Sequence, residues 1–453
     1  MITNFSVKNF RSLKKQTHIE LKPITILCGV NSCGKTSIIK SLLLLKQTLM
    51  SKDAENAVTL EGPYQFAQNL KNLLFILGEQ NDSLLEYTFK LANEKKDLGN
   101  ISFSIKPYTS KNKGSILSWF NITDTNGNFF KISRNSHGEY IPQSNIDFKT
   151  TLPSEIIEKI DETVVVVQNF LPYKFFLRNI KKKICLSAPL FVLDVAENTK
   201  SNLCETLENF RKSIQHISYL GPLRALPQLA YLQFSDSDIN LDDSGSNCAQ
   251  ILWKHGNDKI QFNKEKMILL EALDKSFELL GINHSIKVAR KEIVYSLNVN
   301  VSKKSRHAVP ITDVGFGVSQ LLPVILKGLM GNKNSLIILE QPEIHLHPSC
   351  KANLADLFIT WANDGKRMLV ETHSAELIDR LRLRIIENPE LKDIINVIFV
   401  SPGERIEDGS RIQEIHMDEM GVPLEWPSGF CDESTKQAEQ IIFARVKKKE
   451  MTK

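Results

Sequence analysis

The sequence predicts an α/β protein with a mixed, largely parallel sheet, flanking helices, and an insertion that is β-rich and then helical. Three observations predict this fold class. A short apolar strand, a glycine-rich turn and an apolar-striped helix follow one another within residues 24–50. Strands and helices alternate between residues 218 and 386, which is typical of a parallel sheet covered by helices. Residues 51–215 have another pattern, in which short alternating runs are separated by turn residues.

The composition is that of a globular chain. It has 453 residues, of which 42% are hydrophobic and 24% charged, and these values exclude a largely disordered protein. No apolar run approaches the ~20 residues of a membrane span, and residues 1–10 lack a signal-peptide core. We therefore expect a cytoplasmic protein without membrane contact. The net charge is 57 − 52 = +5, which by itself indicates little about nucleic acid.

The cysteines predict neither disulfides nor zinc. The chain has seven, an odd number, and none of them forms a CxxC pair. We expect reduced thiols.

The N-terminal elements lead into a phosphate-binding motif. Spaced apolar residues near Phe5 predict a strand, and Ile24–Cys28 is a second, buried one. The segment Gly29-Val-Asn-Ser-Cys-Gly-Lys-Thr36 matches the pattern G-x4-G-K-[ST] in full. Glycines let backbone N–H groups surround phosphates, Lys35 reaches the β- and γ-phosphates, and the Thr36 hydroxyl binds Mg²⁺. ATP and Mg²⁺ are the cofactors that this motif predicts.

The insertion begins with β-like runs and continues, in this interpretation, as a helix from Pro153 into Lys183. Its tract Lys174–Lys183 contains five bases and no acid. A solvated surface explains such a tract most simply, and a contact with a partner or with nucleic acid is the alternative.

The second half supplies carboxylates and a histidine at predicted strand ends. Strand Leu336–Leu339 runs into Glu340-Gln-Pro-Glu343, which places a carboxylate where a strand ends, beside Mg²⁺. His373 follows strand Met368–Val370 and suits a sensor of the γ-phosphate. Around these strands we expect a strand and turn at Tyr219–Arg224, a strand at 293–301, and helices over 266–280, 318–330, 348–361 and 375–386.

A glycine turn precedes the carboxylate strand. Asp313–Gln320 contains Gly315 and Gly317 and leads into a helix. Locally it is a helix cap. Its position before the carboxylate strand also suits an anion-binding helix start that is offered to a nucleotide on a second protomer.

Together these segments resemble the ABC-type ATPases, and within them the group of SMC, RecF and OLD (overcoming lysogenization defect) proteins. The resemblance rests on Phe5–Ser12, the phosphate loop, the glycine turn, Glu340–Pro348 and Glu371–Ser374. The closing segment Gly421–Glu433 resembles a subfamily of AAA-type ATPases with an uncharacterised C-terminal region, which bacterial antiphage operons carry beside a nuclease or other effector.

The resemblance implies a site. By this resemblance the loop binds phosphate and Mg²⁺, and Arg11 lies near the nucleotide. Gly315 and Gly317 belong to the signature motif, and His373 is the switch histidine. His347 stands where an aspartate is usual. The residues expected to bind the nucleotide are Arg11, Gly29, Asn31, Ser32, Cys33, Gly34, Lys35, Thr36, Ser37, Gly315 and Gly317, with Thr36 and Glu340 on the metal and Gln341, Glu343 and His373 as catalytic candidates.

Two departures from the family pattern bear on catalysis. Gly315 stands where the signature has Ser, and the usual Asp-Glu pair is Glu340-Gln341. The Q-loop glutamine stays open among Gln65, Gln68 and, less favoured, Gln47. We find no heptads of SMC length, no Toprim-like acidic cluster and no HNH pattern, and the His345/His347 pair predicts no metal site.

Three functions stay open. The first is an ATPase that dimerises head to tail, or forms a higher oligomer, and acts as a sensor or switch for an effector such as a nuclease in antiphage defence. The second is a nucleotide-held scaffold that hydrolyses slowly, which Gln341 favours. The third is a RecF-like DNA clamp in repair, with which the dispersed basic tracts are compatible.

The first of these is the function we expect. The domain boundaries expected are 1–50 and 216–400 for the two halves of the ATPase head, 51–215 for the insertion, and 401–453 for the C-terminal element and basic tail.

Overall fold

The computed structural model describes residues 1–53, 56–75, 84–108, 114–145, 163–177, 202–232, 240–301, 307–425, 427, 429–430 and 433–451. The chain divides into two compact units. Unit 1 comprises residues 1–21, 36–217 and 402–411, and unit 2 comprises residues 22–35, 218–401 and 412–453. No helix in the described ranges is long and apolar enough to cross a bilayer.

Unit 1 is built on a nine-stranded antiparallel sheet of order β10-β9-β8-β7-β6-β5-β4-β1-β2. Strand Leu85–Ala92 alternates buried and less buried side chains along most of its length, as expected where one face of a sheet is covered. They are β1 (Ile2–Lys8), β2 (Thr17–Glu20), β4 (Leu85–Ala92), β5 (Asp97–Pro107), β6 (Ser115–Asp124), β7 (Phe129–Arg134), β8 (Tyr140–Ser144), β9 (Thr163–Gln168) and β10 (Leu171–Leu177).

Two helices accompany this sheet. They are α1 (Lys35–Met50), which belongs to unit 1 from Thr36 onward, and α2 (Leu203–Gln215). The α2 side chain Phe210 packs on Phe89 with ring centroids 4.9 Å apart, and the Tyr87 hydroxyl donates to the Ser41 carbonyl of α1 at 3.1 Å. Buried aromatic rings therefore form the core of unit 1.

The prediction of a helix from Pro153 into Lys183 is wrong over 163–177, where the chain forms the β9–β10 hairpin. The run of four valines, Val164–Val167, favours a strand because β-branched side chains fit a pleated sheet better than a helix. Asn169 turns the hairpin at φ 56°. The rest of that predicted helix lies outside the described residues.

Unit 2 contains a six-stranded sheet of order β11-β18-β19-β3-β20-β21. The five strands from β11 to β20 are parallel. The strands are β3 (Ile24–Gly29), β11 (Ser218–Leu220), β18 (Leu336–Glu340), β19 (Arg367–Glu371), β20 (Ile395–Pro402) and β21 (Ser410–Ile415). Strands β18 and β19 are buried throughout, as expected for parallel strands covered on both faces.

Helices and two small antiparallel sheets complete unit 2. The helices are α3 (Cys248–His255), α4 (Leu269–Leu279), α5 (Phe316–Met330), α6 (Pro348–Asn363), α7 (Ala375–Glu387), α8 (Leu391–Ile394) and α9 (Glu433–Met451). The small sheets contain β12 (Tyr231–Leu232), β15 (Ser285–Lys291), β16 (Val294–Asn300) and β17 (Ala308–Pro310), and β13 (Lys259–Phe262) with β14 (Glu265–Ile268).

The expected α/β class with a parallel sheet and flanking helices is confirmed. Helix α4 begins three residues later than predicted, at Leu269, because the preceding residues pair as β14. The closing segment Gly421–Glu433 packs on the core of unit 2 through Phe430, which is buried. The rings of Phe430 and Phe399 contact edge-on, with their centroids 5.8 Å apart. Trp426 lies outside the described residues. The domain boundaries stay a prediction.

Candidate functional site

The glycine loop after β3 has the backbone that phosphate binding requires. Gly29 and Gly34 adopt φ 134° and 110°, and a Cβ on Gly29 would lie 1.9 Å from the Val400 carbonyl oxygen. Only glycine fits such a left-handed close approach. Asn31 and Ser32, the latter at φ 59°, form an exposed tip. The loop therefore presents backbone N–H groups ahead of α1, which is an arrangement that attracts anions.

Lys35 is held on its own loop. Its side chain is buried, and Nζ donates to the carbonyl oxygens of Gly29 at 3.0 Å and Val30 at 2.7 Å. The thiol of Cys33 lies 3.9 Å from Nζ, and burial raises the pKa of that thiol, which keeps it neutral. The two carbonyl oxygens are neutral acceptors, and the ammonium can exchange them for phosphate oxygens, which form stronger, charge-assisted bonds.

The carboxylate of Glu340 lies at the same edge of the sheet. Strand β19 lies between β18 and β3, and the register pairs Glu340 with Glu371 and Glu371 with Leu27. Because the strands are parallel, their carboxyl ends meet beside the phosphate loop. Glu340 is buried and accepts a hydrogen bond from the Tyr219 hydroxyl at 2.8 Å.

The chain leaves β18 through a strained residue. Gln341 has φ 47°, a left-handed conformation that costs a side-chain-bearing residue roughly 1–2 kcal/mol. Its N–H donates to the Glu371 carbonyl at 2.7 Å. Strand β19 thus fixes the turn at Gln341 through the backbone N–H of this residue.

Glu343 is fixed by the end of β19. Its side chain is buried, and Oε1 accepts from the Thr372 hydroxyl at 2.7 Å and from the His373 N–H at 2.8 Å. The other oxygen, Oε2, is buried without a hydrogen-bond partner among the described residues. One carboxylate oxygen is therefore anchored, while the other is buried with its hydrogen-bonding capacity unused among the described residues.

The ring of His373 is exposed beside this carboxylate. Partial burial and the charge of Lys35 lower the pKa of His373, and the negative charge of Glu343 opposes them. A lowered pKa makes the ring neutral at pH 7, so it can donate or accept a hydrogen bond without adding charge.

Gly315 and Gly317 lie in another part of unit 2. They line a pocket of ≈ 410 Å³ with His284, His345 and His347. Gly315 caps the start of α5, and its carbonyl accepts from the Val318 N–H at 3.2 Å. His347 caps α6 through the Ser349 N–H, so that it has a structural role in addition to its position in the pocket.

The remaining candidates belong to unit 1. Ser37 is buried, and its Oγ lies 3.4 Å from that of Ser12. Arg11 has φ 52°, its N–H donates to the Leu73 carbonyl at 2.6 Å, and burial lowers the pKa of its guanidinium. Thr36 follows Lys35 in the first turn of α1.

The glutamine candidates differ in their surroundings. Gln47 is buried and holds the loop at 59–64, donating to the Thr59 carbonyl at 2.9 Å and accepting from the Tyr64 N–H at 2.8 Å. Gln65 and Gln68 are exposed. Gln47 therefore has a structural role, and the Q-loop assignment stays a prediction.

The structure brings two further residues to the site that the sequence did not assign to it. Tyr219 in β11 bonds Glu340, and Arg224 in the loop after β11 donates to the carbonyls of Glu340 at 3.0 Å and Gln341 at 2.7 Å. The segment Tyr219-Leu-Gly-Pro-Leu-Arg224 was predicted as a strand and turn. A tyrosine and an arginine at a predicted parallel strand end are the signal that could have indicated them.

The donor set fits ATP with Mg²⁺. The glycine cradle and Lys35 offer N–H groups to phosphates, and Glu340 offers the hard oxygen that Mg²⁺ prefers. Among the described residues, no group of three or more His, Cys, Asp or Glu side chains forms a separate metal site.

The chain is similar to a phage protein and to solved SMC head structures. The Old nuclease of Escherichia phage P2 is 23% identical over 384 residues, which are 83% of this chain and 57% of that protein. An SMC head domain from Thermotoga maritima aligns with a TM-score of 0.43 at 11% identity, over 94% of this chain and 99% of that one. An Smc head domain from Pyrococcus furiosus, with an extended coiled coil and bound to the C-terminal domain of ScpA, aligns with a TM-score of 0.39 at 13% identity. The alignment covers 97% of this chain and 99% of that one.

The family assignment rests on most of the chain. The profile of the AAA ATPase domain matches residues 1–378. With the OLD-type relative, this match confirms the expected resemblance to ATPases of the SMC, RecF and OLD group. The chain therefore belongs to the AAA ATPase domain family.

Proposed function

We propose that the chain binds ATP with Mg²⁺, hydrolyses it slowly, and acts as a nucleotide-dependent dimerising switch that controls an effector. One observation supports the ATPase part: Lys35 lies at the same edge of the sheet as the carboxyl ends of β18 and β19. Lys35 and Glu343 are both close enough to His373 to affect the pKa of its ring.

Each residue of the edge has a role in this proposal. When bound, ATP·Mg²⁺ supplies the phosphoryl group and the metal charge that stabilises its transfer. Lys35 and the loop amides would bind the β- and γ-phosphates, together with Asn31 at the tip of the loop and Ser37 in the first turn of α1. Thr36 and Glu340 would supply oxygen ligands to the metal, and His373 would hydrogen-bond the γ-phosphate.

Glu343 is the carboxylate best placed to accept a proton from water. Gln341 occupies the position of the usual base, but an amide does not accept a proton at pH 7. Glu343 keeps Oε2 without a partner among the described residues while Oε1 is anchored. A water held by Oε2 is therefore oriented by a fixed carboxylate.

The switch part of the proposal rests on a second surface. Gly315 and Gly317 line the pocket at the start of α5, and a helix start attracts the phosphates of a nucleotide carried by a second copy. Hydrolysis then opens the pair. The phage relative is named as a nuclease, which supports a nuclease as the effector. A role in antiphage defence rests only on the operons in which the resembling subfamily occurs.

A scaffold that is held closed by ATP is the nearest competing function, since Gln341 favours slow turnover. A DNA clamp receives less support from the described residues. Of the basic tracts, Arg380–Arg384 is engaged internally: Arg380 and Arg384 both bind Asp356, and Arg382 pairs with Asp379. These guanidinium groups are already matched by carboxylates rather than free for phosphates.

Two measurements on the purified chain test the proposal. We expect phosphate release that is slow but above that of Lys35→Met, together with DNA binding that is weak and unchanged by ATP at physiological salt. No release above Lys35→Met would favour the scaffold, and ATP-dependent, salt-sensitive DNA binding would favour the clamp. A nuclease reading frame beside the gene would support the switch.

A further inference from the structure

Arg224 is a buried arginine with only part of its hydrogen-bonding capacity used. It is 7% exposed. Its Nη2 donates to the carbonyls of Glu340 and Gln341 at 3.0 and 2.7 Å. Nε and Nη1 are buried and have no hydrogen-bond partner among the described residues. A guanidinium has five N–H groups, so three of them remain available.

The two carbonyls are those of the turn that leads to Glu343. Gln341 is left-handed at φ 47°, and its N–H is bonded to the Glu371 carbonyl. Arg224 fixes the other side of the same residue, through the carbonyls before and after its Cα. The left-handed turn is therefore held both at its N–H and at its carbonyls. Pro342 has a fixed φ, so the position of Glu343 depends directly on this turn.

Arg224 and Glu343 also complement each other electrostatically. The positive charge of the Arg224 guanidinium and the negative charge of Glu343 interact, and an arginine is protonated at pH 7. The unpartnered donors of Arg224 and the unpartnered Oε2 of Glu343 are both buried in unit 2. Buried charged groups are normally satisfied by a direct partner or by ordered water.

We propose that Arg224 is a positioning residue for ATP hydrolysis, which holds the Gln341 turn by its carbonyls and holds Glu343 through a water shared between Nη1–H and Oε2. This inference rests on the proposed function. It adds that the loop after β11 sets the geometry of the carboxylate that acts on water. Water suits the place because it accepts from the guanidinium and donates to the carboxylate.

The structure offers a test that separates positioning from general stability. Arg367 is another buried arginine of unit 2, and it lies at the opposite end of β19 from the site. Arg224→Lys keeps the charge but loses the planar fork of donors. Arg224→Met removes both charge and donors. Arg367→Met is the matched control, and each variant is compared with wild type by thermal unfolding.

Two readouts are used. The first, on the nucleotide-free chain, is hydrogen exchange of the backbone at 341–346, which should quicken in Arg224→Met and stay unchanged in Arg367→Met.

The second readout is the turnover of ATP. We expect kcat to fall about 100-fold in Arg224→Met and about 10-fold in Arg224→Lys, with KM within about threefold, since misplacement of a reacting group costs rate rather than ground-state binding. Guanidinium ion added at low concentration should partly restore kcat in Arg224→Met alone.

Each outcome decides. Wild-type kcat in Arg224→Lys, or equal losses in Arg224→Met and Arg367→Met, would overturn the positioning role while leaving the ATPase proposal intact. A rise of KM with unchanged kcat would overturn it in favour of a nucleotide-binding role. Absence of turnover in wild type would overturn the proposed function and this inference together. If Arg224→Met does not fold, Arg224→Lys and its exchange at 341–346 decide alone.

Discussion

Oε1 of Glu343 accepts a hydrogen bond from the backbone N–H of His373 at 2.8 Å. This bond joins the loop after β18 to the loop after β19, so that the carboxylate and the histidine proposed to act on ATP move together. The Thr372 hydroxyl donates to the same oxygen at 2.7 Å. A substitution that removes Oε1 of Glu343 therefore alters both its own chemistry and the support of the loop that carries His373.

The first prediction concerns nucleotide binding by Lys35. We expect Lys35→Met to weaken ATP binding about 10- to 100-fold, since it removes charge-assisted bonds to the β- and γ-phosphates. Titration with a fluorescent ATP analogue measures the Kd. Lys212→Met is the control, because that lysine is exposed and forms an ion pair with the neighbouring Glu208 on the surface of α2. Wild-type affinity in Lys35→Met would contradict the phosphate-loop assignment.

The second prediction concerns the proton acceptor. Glu343→Gln keeps the oxygen that accepts from Thr372 and His373 but cannot take a proton, so we expect kcat to fall about 100-fold or more with little change in KM. Steady-state phosphate release measures both constants. A Glu343→Gln variant that turns over like wild type would exclude Glu343 as the base.

The third prediction concerns Gln341 and His373. Gln341→Glu places a carboxylate at the usual position of the base, and we expect it to raise kcat, whereas His373→Ala should lower kcat strongly because a contact to the γ-phosphate is lost. Both are measured by phosphate release beside wild type. Fast wild-type turnover that drops in Gln341→Glu would mean that the base lies elsewhere. Undetectable release in every variant would favour the scaffold.

The fourth prediction concerns assembly through the signature turn. A Cβ on Gly315 would meet nothing within 4 Å, whereas one on Gly317 would lie 3.2 Å from the His345 carbonyl oxygen. Gly315→Arg should therefore leave the monomer fold and ATP binding intact and block ATP-driven dimerisation, and Gly317→Arg should do the same with some loss of stability.

Light scattering with and without ATP measures this assembly. Ile293→Arg, on an exposed turn of unit 2 between β15 and β16, is the control for the added charge. If the chain dimerises without nucleotide, the readout becomes phosphate release, which should still fall in Gly315→Arg. Unchanged assembly and unchanged release would contradict the head-to-tail model.

The fifth prediction concerns stability. Asp356 on α6 binds Arg384 and Arg380 of α7, with Nε of Arg384 at 2.6 Å and Nη2 of Arg380 at 2.8 Å. We expect Asp356→Asn to lower the free energy of unfolding by about 2 kcal/mol, because Arg380 and Arg384 lose the carboxylate that they share, although Arg384 keeps its pair with Glu387. Asp379→Asn, which removes the exposed partner of Arg382, should cost about 0.5 kcal/mol or less.

The pH dependence of this difference has a definite sign. Burial alone would raise the pKa of Asp356, but the hydrogen bonds from Arg384 and Arg380 outweigh it and hold the pKa below its ordinary value. The stabilisation is therefore complete above the ordinary pKa of an aspartate and is lost as the pH falls through the folded-state pKa. Urea unfolding from pH 7 downward should show wild type and Asp356→Asn converging. A constant gap would contradict the ion-pair explanation.

Prediction from sequence succeeded where the signal is local. The phosphate loop, the buried strand ending at Glu340 and the histidine after β19 each depend on neighbours in the chain, through glycine conformation, apolar runs and strand ends. It failed over 163–177, where a stretch assigned to a helix forms a hairpin. Four successive valines carry no period that separates a helix from a strand, and pairing with β8 and the turn at Asn169 decides between them.

The sequence by itself determined the α/β class, the glycine loop between β3 and α1 and the charged residues at the ends of the strands that carry the candidate site. Only the tertiary structure decided which ends are neighbours, and therefore that Tyr219 bonds Glu340, that Arg224 holds the Gln341 turn, and that Glu343 is anchored by His373. These contacts join residues 30 to 121 positions apart. Hydrogen bonds between distant residues leave no periodic trace in a sequence, because the sheet order that creates them is set by packing of the whole unit.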